Sequence, residues 1–525
     1  MINSFYDVAV IGAGPAGLTA ALAANERKAK TLLVEREENL GGNLKQNIHD
    51  GFGLLRFGKK LTGPEYAHIL VSQLLESNVE IARQTFVTKI EKHPFGFSLT
   101  LVNSNGIIKT ACKSIVFACG SRELTSRQIG IHGRHSAGIF TAKTIQYYIN
   151  ILGKMPGKRC VIFGSNDAGL IMARRLKLEG AEVLGVYEAK PAASGLKHNV
   201  YQCLKDFDIP LFTKKTITRV LGEERLNAVE ISSVDENMIP IQGTEEIIKC
   251  DTLILSAGLI PENELMDVFN LPLDKRTKGP VADQHNMTML EGIFCCGNAL
   301  FENNLTDFVS ESGYTAGQAA AKWALKGWTS LKKNENEGFH YAEIKADNSL
   351  MYVVPQHLNL DTLSSSTILC FRSKKDLGKS LLLITLDGIE IFRKVYQRLC
   401  PPEMERIIMD FTSLNIKKGS LINFSLLPAE RKYEEIDFTK AETISPGSSL
   451  TTTVHTIFPE VPVLPVKIKG EVPKDKINMI IRELSDVMIS ERIGIGETIA
   501  ANILGTGCDI IATSNKLKEI SRKSA

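Results

Sequence analysis

The stretch Tyr6-Asp7-Val8-Ala9-Val10-Ile11-Gly12-Ala13-Gly14-Pro15-Ala16-Gly17 opens with an apolar run of strand length and closes on three spaced glycines. An Ala/Leu-rich segment of helix formers follows it. Strand, glycine turn and helix in that order turn a bare G-x-G-x-x-G into a dinucleotide-binding fingerprint. Gly12 permits the tight turn, Gly14 lets backbone N–H groups approach a pyrophosphate, and Gly17 lets helix and strand pack closely. Pro15 and Ala16 start the helix, whose N-terminus carries partial positive charge for the phosphates. A second apolar run, Thr31–Val34, ends in Glu35, about 20 residues past the glycines, where an acid is expected to bind a ribose hydroxyl pair. A phosphate-free glycine turn is the bland alternative.

Working outward, the chain of 525 residues is too long for one core, and its 43% hydrophobic and 23% charged residues are those of an ordinary globular protein. A formal net charge of +3 gives no field that would imply nucleic acid, so no nucleic-acid partner is expected. The ten cysteines are scattered singly except for Cys295-Cys296, unlike a secreted disulfide framework, and a reducing cytoplasm fits. The apolar start Val8–Ala24 lacks a basic leader and is broken by glycines and Pro15, so it reads as strand, turn and helix and not as a signal sequence. No apolar run reaches the roughly 18 residues of a membrane span. The cysteine spacing suggests no metal site.

A second strand–turn–helix appears at Cys160–Phe163, followed by Gly164-Ser165-Asn166-Asp167-Ala168-Gly169, with Glu188 ending the next strand. Gly164, Asn166, Gly169 and Glu188 are the matching NAD(P) candidates, but Asn166 puts a side chain where Gly14 has none. Nicotinamide binding and a fold kept for packing both stay open. From Gly327 to Asn348 the sequence turns polar, with Lys332-Lys333-Asn334-Glu335-Asn336-Glu337-Gly338 reading as linker. Beyond them Leu381–Leu386, Asp387-Gly388 and Ile389–Val395 read as a hairpin in a β-rich unit. Val461–Ser514 reads as a small α/β unit, with a core stripe Ile477, Ile480, Ile481, Leu484 and Met488 at helical spacing.

Ser114–Phe117 leading into Ala118-Cys119-Gly120, and the later Gly292-Ile293-Phe294-Cys295-Cys296-Gly297-Asn298, resemble the strand-ending motifs of FAD domains in two-dinucleotide-binding flavoproteins of the pyridine nucleotide-disulfide oxidoreductase type. The resemblance implies FAD in the first unit, with Gly42, Ala118, Gly120 and Gly297 around it and Asn298 on the ribityl chain. It also implies a helix over Ser312–Leu325 aimed at the flavin pyrimidine edge. More narrowly, 5–330 resembles a bacterial flavoprotein branch found beside glycerol-3-phosphate dehydrogenases and related to the α subunits of opine oxidases and hydrogen cyanide synthase. The phrases that carry this include Gly41-Gly42-Asn43-Leu44-Lys45-Gln46-Asn47-Ile48-His49-Asp50-Gly51-Phe52-Gly53, Leu61-Thr62-Gly63-Pro64-Glu65-Tyr66 and Gly258-Leu259-Ile260-Pro261-Glu262-Asn263-Glu264-Leu265. Residues from about 430 on resemble a small companion protein of that branch, through Leu450-Thr451-Thr452-Thr453-Val454 and Leu504-Gly505-Thr506-Gly507, without its usual cysteine cluster.

These readings give an α/β chain with two Rossmann-like FAD/NAD(P)-binding units, a β-rich domain and a small C-terminal α/β domain. Expected boundaries are 1–150 and 281–330 for the two parts of the FAD domain, 151–280 for the inserted NAD(P)-like domain, 345–428 for the β-rich domain and 430–525 for the companion-like domain. The resembled family places redox cysteines after Gly41-Gly42 or as C-x-x-C, and this chain has neither; Cys295 and Cys296, as successive strand residues, should face opposite ways. His49 is the candidate acid/base, or a histidine that fixes the glycine loop by a hydrogen bond. The resemblance makes Lys45 and Gln46 candidates to hydrogen-bond flavin N5 or O4, and Arg122 with Glu123 reads as a structural ion pair. The expected function is a cytoplasmic FAD-dependent oxidoreductase without a redox disulfide, working with a partner dehydrogenase of the glycerol-3-phosphate type or a small substrate. The alternatives are an FAD subunit of an amine- or imino-acid-oxidising complex, and a non-catalytic scaffold. Whether it forms an oligomer stays open.

Overall fold

A computed structural model describes residues 2–326 and 340–429, together with two short paired strands, Val466–Ile468 and Ala501–Ile503. The rest of the expected C-terminal α/β unit, its helical stripe and the linker at 332–338 lie outside the described residues. One compact unit takes in the chain up to Asp376 with Leu383–Phe392 and Cys400–Leu426, while the segments Leu377–Leu382 and Arg393–Leu399 fall in a second.

The opening strand, Phe5–Ile11, pairs in parallel with Thr31–Val34 on one side and with Gly106–Phe117 on the other, in register Ile11 to Val34 and Ile11 to Phe117. The strand order is Glu80–Ala82, Thr31–Val34, Phe5–Ile11, Gly106–Phe117, Gly96–Asn103, Phe86–His93. Ile293–Cys295 joins the far end of Gly106–Phe117 in parallel, so a segment late in the chain completes a sheet begun at its start. Val8, Val10, Leu32, Leu33 and Phe117 are fully shielded, as strands covered on both faces require. Each such side chain contributes roughly 1.5–3 kcal/mol of burial free energy.

Helix α1 (Pro15–Glu26) leaves the glycine turn with Pro15 in its first turn. Helix α2 (Gly63–Leu75) starts on a capping box between Thr62 and Glu65. Helix α3 (Ala142–Asn150) is capped by Thr141, whose side chain accepts from Thr144 N. The second parallel sheet runs Ile139–Thr141, Thr252–Leu255, Arg159–Phe163, Glu182–Glu188, Leu211–Thr213, with helices α4 (Asp167–Leu178) and α5 (Lys197–Cys203) beside it. Two short antiparallel strands, Ser121–Glu123 and Leu259–Pro261, form the crossover between the two sheets.

Helix α6 spans Thr306–Leu325 and so starts six residues before the expected Ser312. Gly313 and Gly317, inside the expected helix, are contact positions against α1. A Cβ on Gly317 would lie 2.1 Å from Ala20 O, and one on Gly313 would lie 2.1 Å from Ala16 O. The absence of side chains there lets α6 lie against α1, and that packing outweighs the roughly 1 kcal/mol that each glycine costs a helix.

The β-rich region starts before the expected boundary at 345, since Tyr341–Ala346 is a strand, pairing antiparallel with His357–Asn359 and parallel with Leu421–Pro428. A second β-rich sheet is Leu350–Val354, Thr367–Ser373, Glu405–Met409. The hairpin strands are Ser380–Leu386 and Ile389–Tyr396, and both turn residues, Asp387 at 50° and Gly388 at 86°, have positive φ, as a tight hairpin turn demands. Arg406 holds α6 through two bonds to Glu311, Nε to Oε2 at 3.1 Å and a terminal nitrogen to Oε1 at 2.6 Å. No helix among the described residues is long and apolar enough to cross a membrane.

Candidate functional site

At the first glycine turn the N-cap of α1 is Gly14, with no side chain to cap the helix. Nothing lies within 4 Å of where a Cβ on Gly14 would stand. The Ala16 and Gly17 N–H groups meet no acceptor among the described residues, so the end of the helix presents unpaired donors beside open space. A phosphate group fits that arrangement. Glu35, 8% exposed, is pinned at the end of its strand: Oε2 accepts from Ala13 N at 2.7 Å and Oε1 from Glu37 N at 2.9 Å. Each carboxylate oxygen keeps a second lone pair for a ribose hydroxyl. Gly42 closes on this turn, since a Cβ there would lie 2.8 Å from Gly14 Cα. Ala118 N donates to Ile11 O at 2.9 Å, and Gly120 O accepts from Glu262 N at 3.0 Å. Asn298 follows Gly297 in a short 3-10 turn; its Oδ1 accepts from Asn303 N at 3.1 Å, and its NH2 has no acceptor among the described residues. The residues present thus fit the FAD expected of this unit.

The second glycine turn has the same backbone and different chemistry. Asn166 is the N-cap of α4, its Oδ1 accepting from Gly169 N at 3.2 Å while also meeting Ser256 Oγ. The next residue, Asp167, accepts from Leu196 N at 2.8 Å and from Asn199 Nδ2 at 2.7 Å. Glu188, the counterpart of Glu35, takes Ser165 N at 3.1 Å, Ser165 Oγ and Ser194 Oγ at 3.0 Å on one oxygen and Lys190 N at 3.1 Å on the other. Gly164, Asn166, Gly169 and Glu188 therefore lie together as their spacing predicts. Gly169 N–H and both Glu188 oxygens are used by the chain itself, whereas Gly17 N–H, the counterpart of Gly169, meets no acceptor among the described residues.

Between the units, the segment after Gly41-Gly42 forms a 3-10 helix, Gly42–Gln46. Gln46 faces α3, Nε2 donating to Lys143 O at 3.1 Å and to Gln146 Oε1 at 3.2 Å. Lys45 turns the other way and pairs with Glu37, because a half-buried ammonium takes the nearest carboxylate. His49 is half-buried against Phe52, ring centroids 5.0 Å apart, and its ring makes no hydrogen bond among the described residues. Burial holds the His49 imidazole below its ordinary pKa, while Asp50 and Asp167 pull the other way.

The expected Arg122–Glu123 pair does not form, because neighbours on a strand point to opposite faces. Arg122 pairs with Glu264, and Glu123, 6% exposed, accepts from Lys143 N at 2.8 Å at the start of α3. Burial pushes the Glu123 carboxyl up. Lys143 escaped the sequence reading: its Nζ donates to Ser121 O at 3.1 Å, just past Gly120, and burial lowers its pKa. Only the helical spacing of Lys143, Gln146 and Asn150, which share contacts with the Gly42–Gln46 segment or the crossover, could have flagged it.

No disulfide joins any two of the nine described cysteines. Cys295 packs into the core on one side of the first sheet and Cys296 into the core on the other, so the adjacent pair faces apart. Burial raises both thiols, and Cys119, near them, is pushed up to about 12.

The chain was compared with known proteins. It is similar to ferredoxin–NADP reductase 2 of Bacillus velezensis, 24% identical over 301 residues, 56% of this chain and 85% of that protein. It is also similar to ferredoxin–NADP reductase of Streptococcus pyogenes serotype M5, 26% identical over 336 residues, 62% of this chain and 94% of that one. Among solved structures, thioredoxin reductase of T. acidophilum matches with a TM-score of 0.52 at 21% identity, over 62% of this chain and all of that one, a likeness of fold. A family described as a protein of unknown function (DUF1667) matches residues 436–514. The pyridine nucleotide-disulphide oxidoreductase family matches residues 6–321, which take in both glycine turns, the crossover strands and most of α6, and the chain belongs to that family.

Proposed function

We propose that this chain passes reducing equivalents through FAD held in the first dinucleotide unit, without a thiol relay of its own. The two ends of the transfer are a partner dehydrogenase of the glycerol-3-phosphate type, or a small reduced substrate, and a nicotinamide or other acceptor. The observation that carries this reading is the contrast between the open, donor-rich N-terminus of α1 beside Glu35 and the buried Cys295–Cys296 pair divided between two cores. FAD supplies the two-electron chemistry when bound. The chain's own part is to hold the pyrophosphate at α1, fix the ribose on Glu35, seat the ribityl chain by Asn298, and present His49, neutral above its depressed pKa, as a proton acceptor.

The ferredoxin–NADP reductases named above act, by their names, between a protein and a nicotinamide. A protein partner suits this chain as well, since Leu54 and Leu55 are 56% and 63% exposed beside Arg56 in the segment that follows His49. The nicotinamide end rests on Gly164, Asn166, Gly169 and Glu188, with Glu188 favouring NADH because a carboxylate repels a 2′-phosphate. We assign the protein to the cytoplasm.

The test is purification followed by anaerobic titration with NADH and NADPH. Bleaching of the flavin by either supports direct nicotinamide use, and no bleaching at millimolar concentration removes that arm. Copurification of a second flavoprotein with dye reduction by an amine would transfer the chain to the amine- and imino-acid-oxidising reading. A flavin that dithionite reduces but that passes electrons to no dye would make it a scaffold.

A further inference from the structure

Away from the dinucleotide units, a cavity of about 370 Å³ lies between the loop at Leu273–Arg276 and the strands Tyr341–Ala346 and His357–Asn359. This is within the size range of small-ligand sites. Gln356, 6% exposed, lines it and is held by its own bonds: the side-chain Oε1 accepts from Ala282 N at 3.2 Å and its backbone O accepts from Ile344 N at 2.8 Å. The Ala282 bond fixes which end of the amide is oxygen. The two N–H groups on Nε2 are then left buried with no acceptor among the described residues. Its neighbour His357 also lines the cavity, and His357 Nδ1 is likewise buried without a partner.

The charges around these groups favour an anion. Lys275, Arg276 and Lys345 line the same cavity, against two carboxylates. Both carboxylates are occupied: Asp274 accepts from Arg276 N at 2.7 Å and Thr277 N at 2.8 Å, and Glu343 pairs with Lys345 at 2.8 Å. Arg276 spends one terminal nitrogen on Asp347 O and Leu350 O, at 3.1 and 3.3 Å, and keeps its other N–H donors. Lys275 has no ion pair among the described residues. A buried amide donor on a residue that lines the same cavity as two cations with donors to spare suits an acceptor-only group that can take charge-assisted hydrogen bonds.

We propose that this cavity is a binding site for a small oxyanion ligand, a carboxylate or a phosphate, gripped by Gln356 Nε2 at its floor and by Lys275 and Arg276 at its mouth. It is separate from the flavin reading and stands without it.

The experiment is isothermal titration of the flavin-loaded, full-length protein with inorganic phosphate and, separately, with succinate, at constant ionic strength. Saturable binding of at least one is expected, weakened by about tenfold or more in Gln356→Glu and in Lys275→Glu. Gln356→Glu keeps the acceptor for Ala282 N and replaces the two N–H donors with a carboxylate; Lys275→Glu reverses a charge on an exposed side chain. Phosphate binding alone identifies a phosphate-bearing ligand, and succinate binding alone a carboxylate. Absence of saturable binding by both anions overturns the proposal, as does binding that both substitutions leave unchanged. Melting temperature and flavin absorbance check the fold of each variant, and if Gln356→Glu unfolds, Lys275→Glu decides.

Discussion

Asn166→Gly isolates the difference between the two glycine turns. In the native chain Asn166 Oδ1 occupies Gly169 N–H, the donor a pyrophosphate would need at the start of α4. Its side chain also stands where Gly14 leaves open space in the first unit. A dinucleotide must therefore displace a helix cap worth about 1 kcal/mol and a hydrogen-bonded contact with Ser256 of similar size. Removing the side chain lifts that charge on binding, so NADH should bind more tightly by about 1–2 kcal/mol, roughly 5- to 30-fold in apparent Kd. The helix itself loses little, since an N-cap changed to glycine costs only a few tenths of a kcal/mol. The assay is anaerobic flavin bleaching against NADH and NADPH, run on native protein and variant with melting temperatures alongside. An unchanged half-saturation with an unchanged melting temperature would refute the reasoning, and a tighter NADPH than NADH response would overturn the role given to Glu188.

Glu35→Ala should release FAD on gel filtration, and it should lower stability by about 1–3 kcal/mol, because the N–H groups of Ala13 and Glu37 lose their acceptor; flavin retained at native stoichiometry would contradict the ribose assignment. Gly317→Val places its Cβ about 2.1 Å from Ala20 O, so it should force α6 off α1 at a cost of roughly 3 kcal/mol, read by denaturant midpoint. His49 has a folded-state pKa below 6.5, so the unfolded chain binds more protons between that depressed value and 6.5. Its contribution is complete above that window and is lost as pH falls through it. His49→Asn should therefore narrow the gap in melting temperature between about pH 5.5 and about pH 7.5, and an unchanged gap would show that His49 does not sense burial in the fold.

The first dinucleotide unit was legible because its determinants are local: strand, glycines, helix and acid fall within thirty residues, Tyr6 to Glu35. Period-two alternation likewise placed Cys295 and Cys296 on opposite faces. Features set by distant partners were not legible. The first six residues of α6, missed by the expected start at Ser312, meet distant partners: Ser310 O accepts from Thr19 Oγ1 and Glu311 pairs with Arg406. Arg122 meets Glu264 and Lys45 meets Glu37 through turns whose geometry no spacing rule supplies. Lys143 has no motif around it, and its burial follows from the crossover strands folding over α3. Asn166 was recognised as a departure, but its role as a helix cap needed the direction of its amide.

The seam between α1 and α6 also bears on how the protein is made. Thr19 Oγ1 donates to Ser310 O, a contact between residues 291 positions apart. At about 5–20 residues per second, a ribosome needs roughly 15–60 s to travel from one to the other. Throughout that interval the alanine face of α1 has emerged and its partner helix has not. Ile293–Cys295, the strand that completes the first sheet, arrives only shortly before α6. Cofactor loading is thus a late event in biosynthesis, and a nascent chain arrested before residue 325 would hold the glycine fingerprint yet lack the surface against which its helix is set.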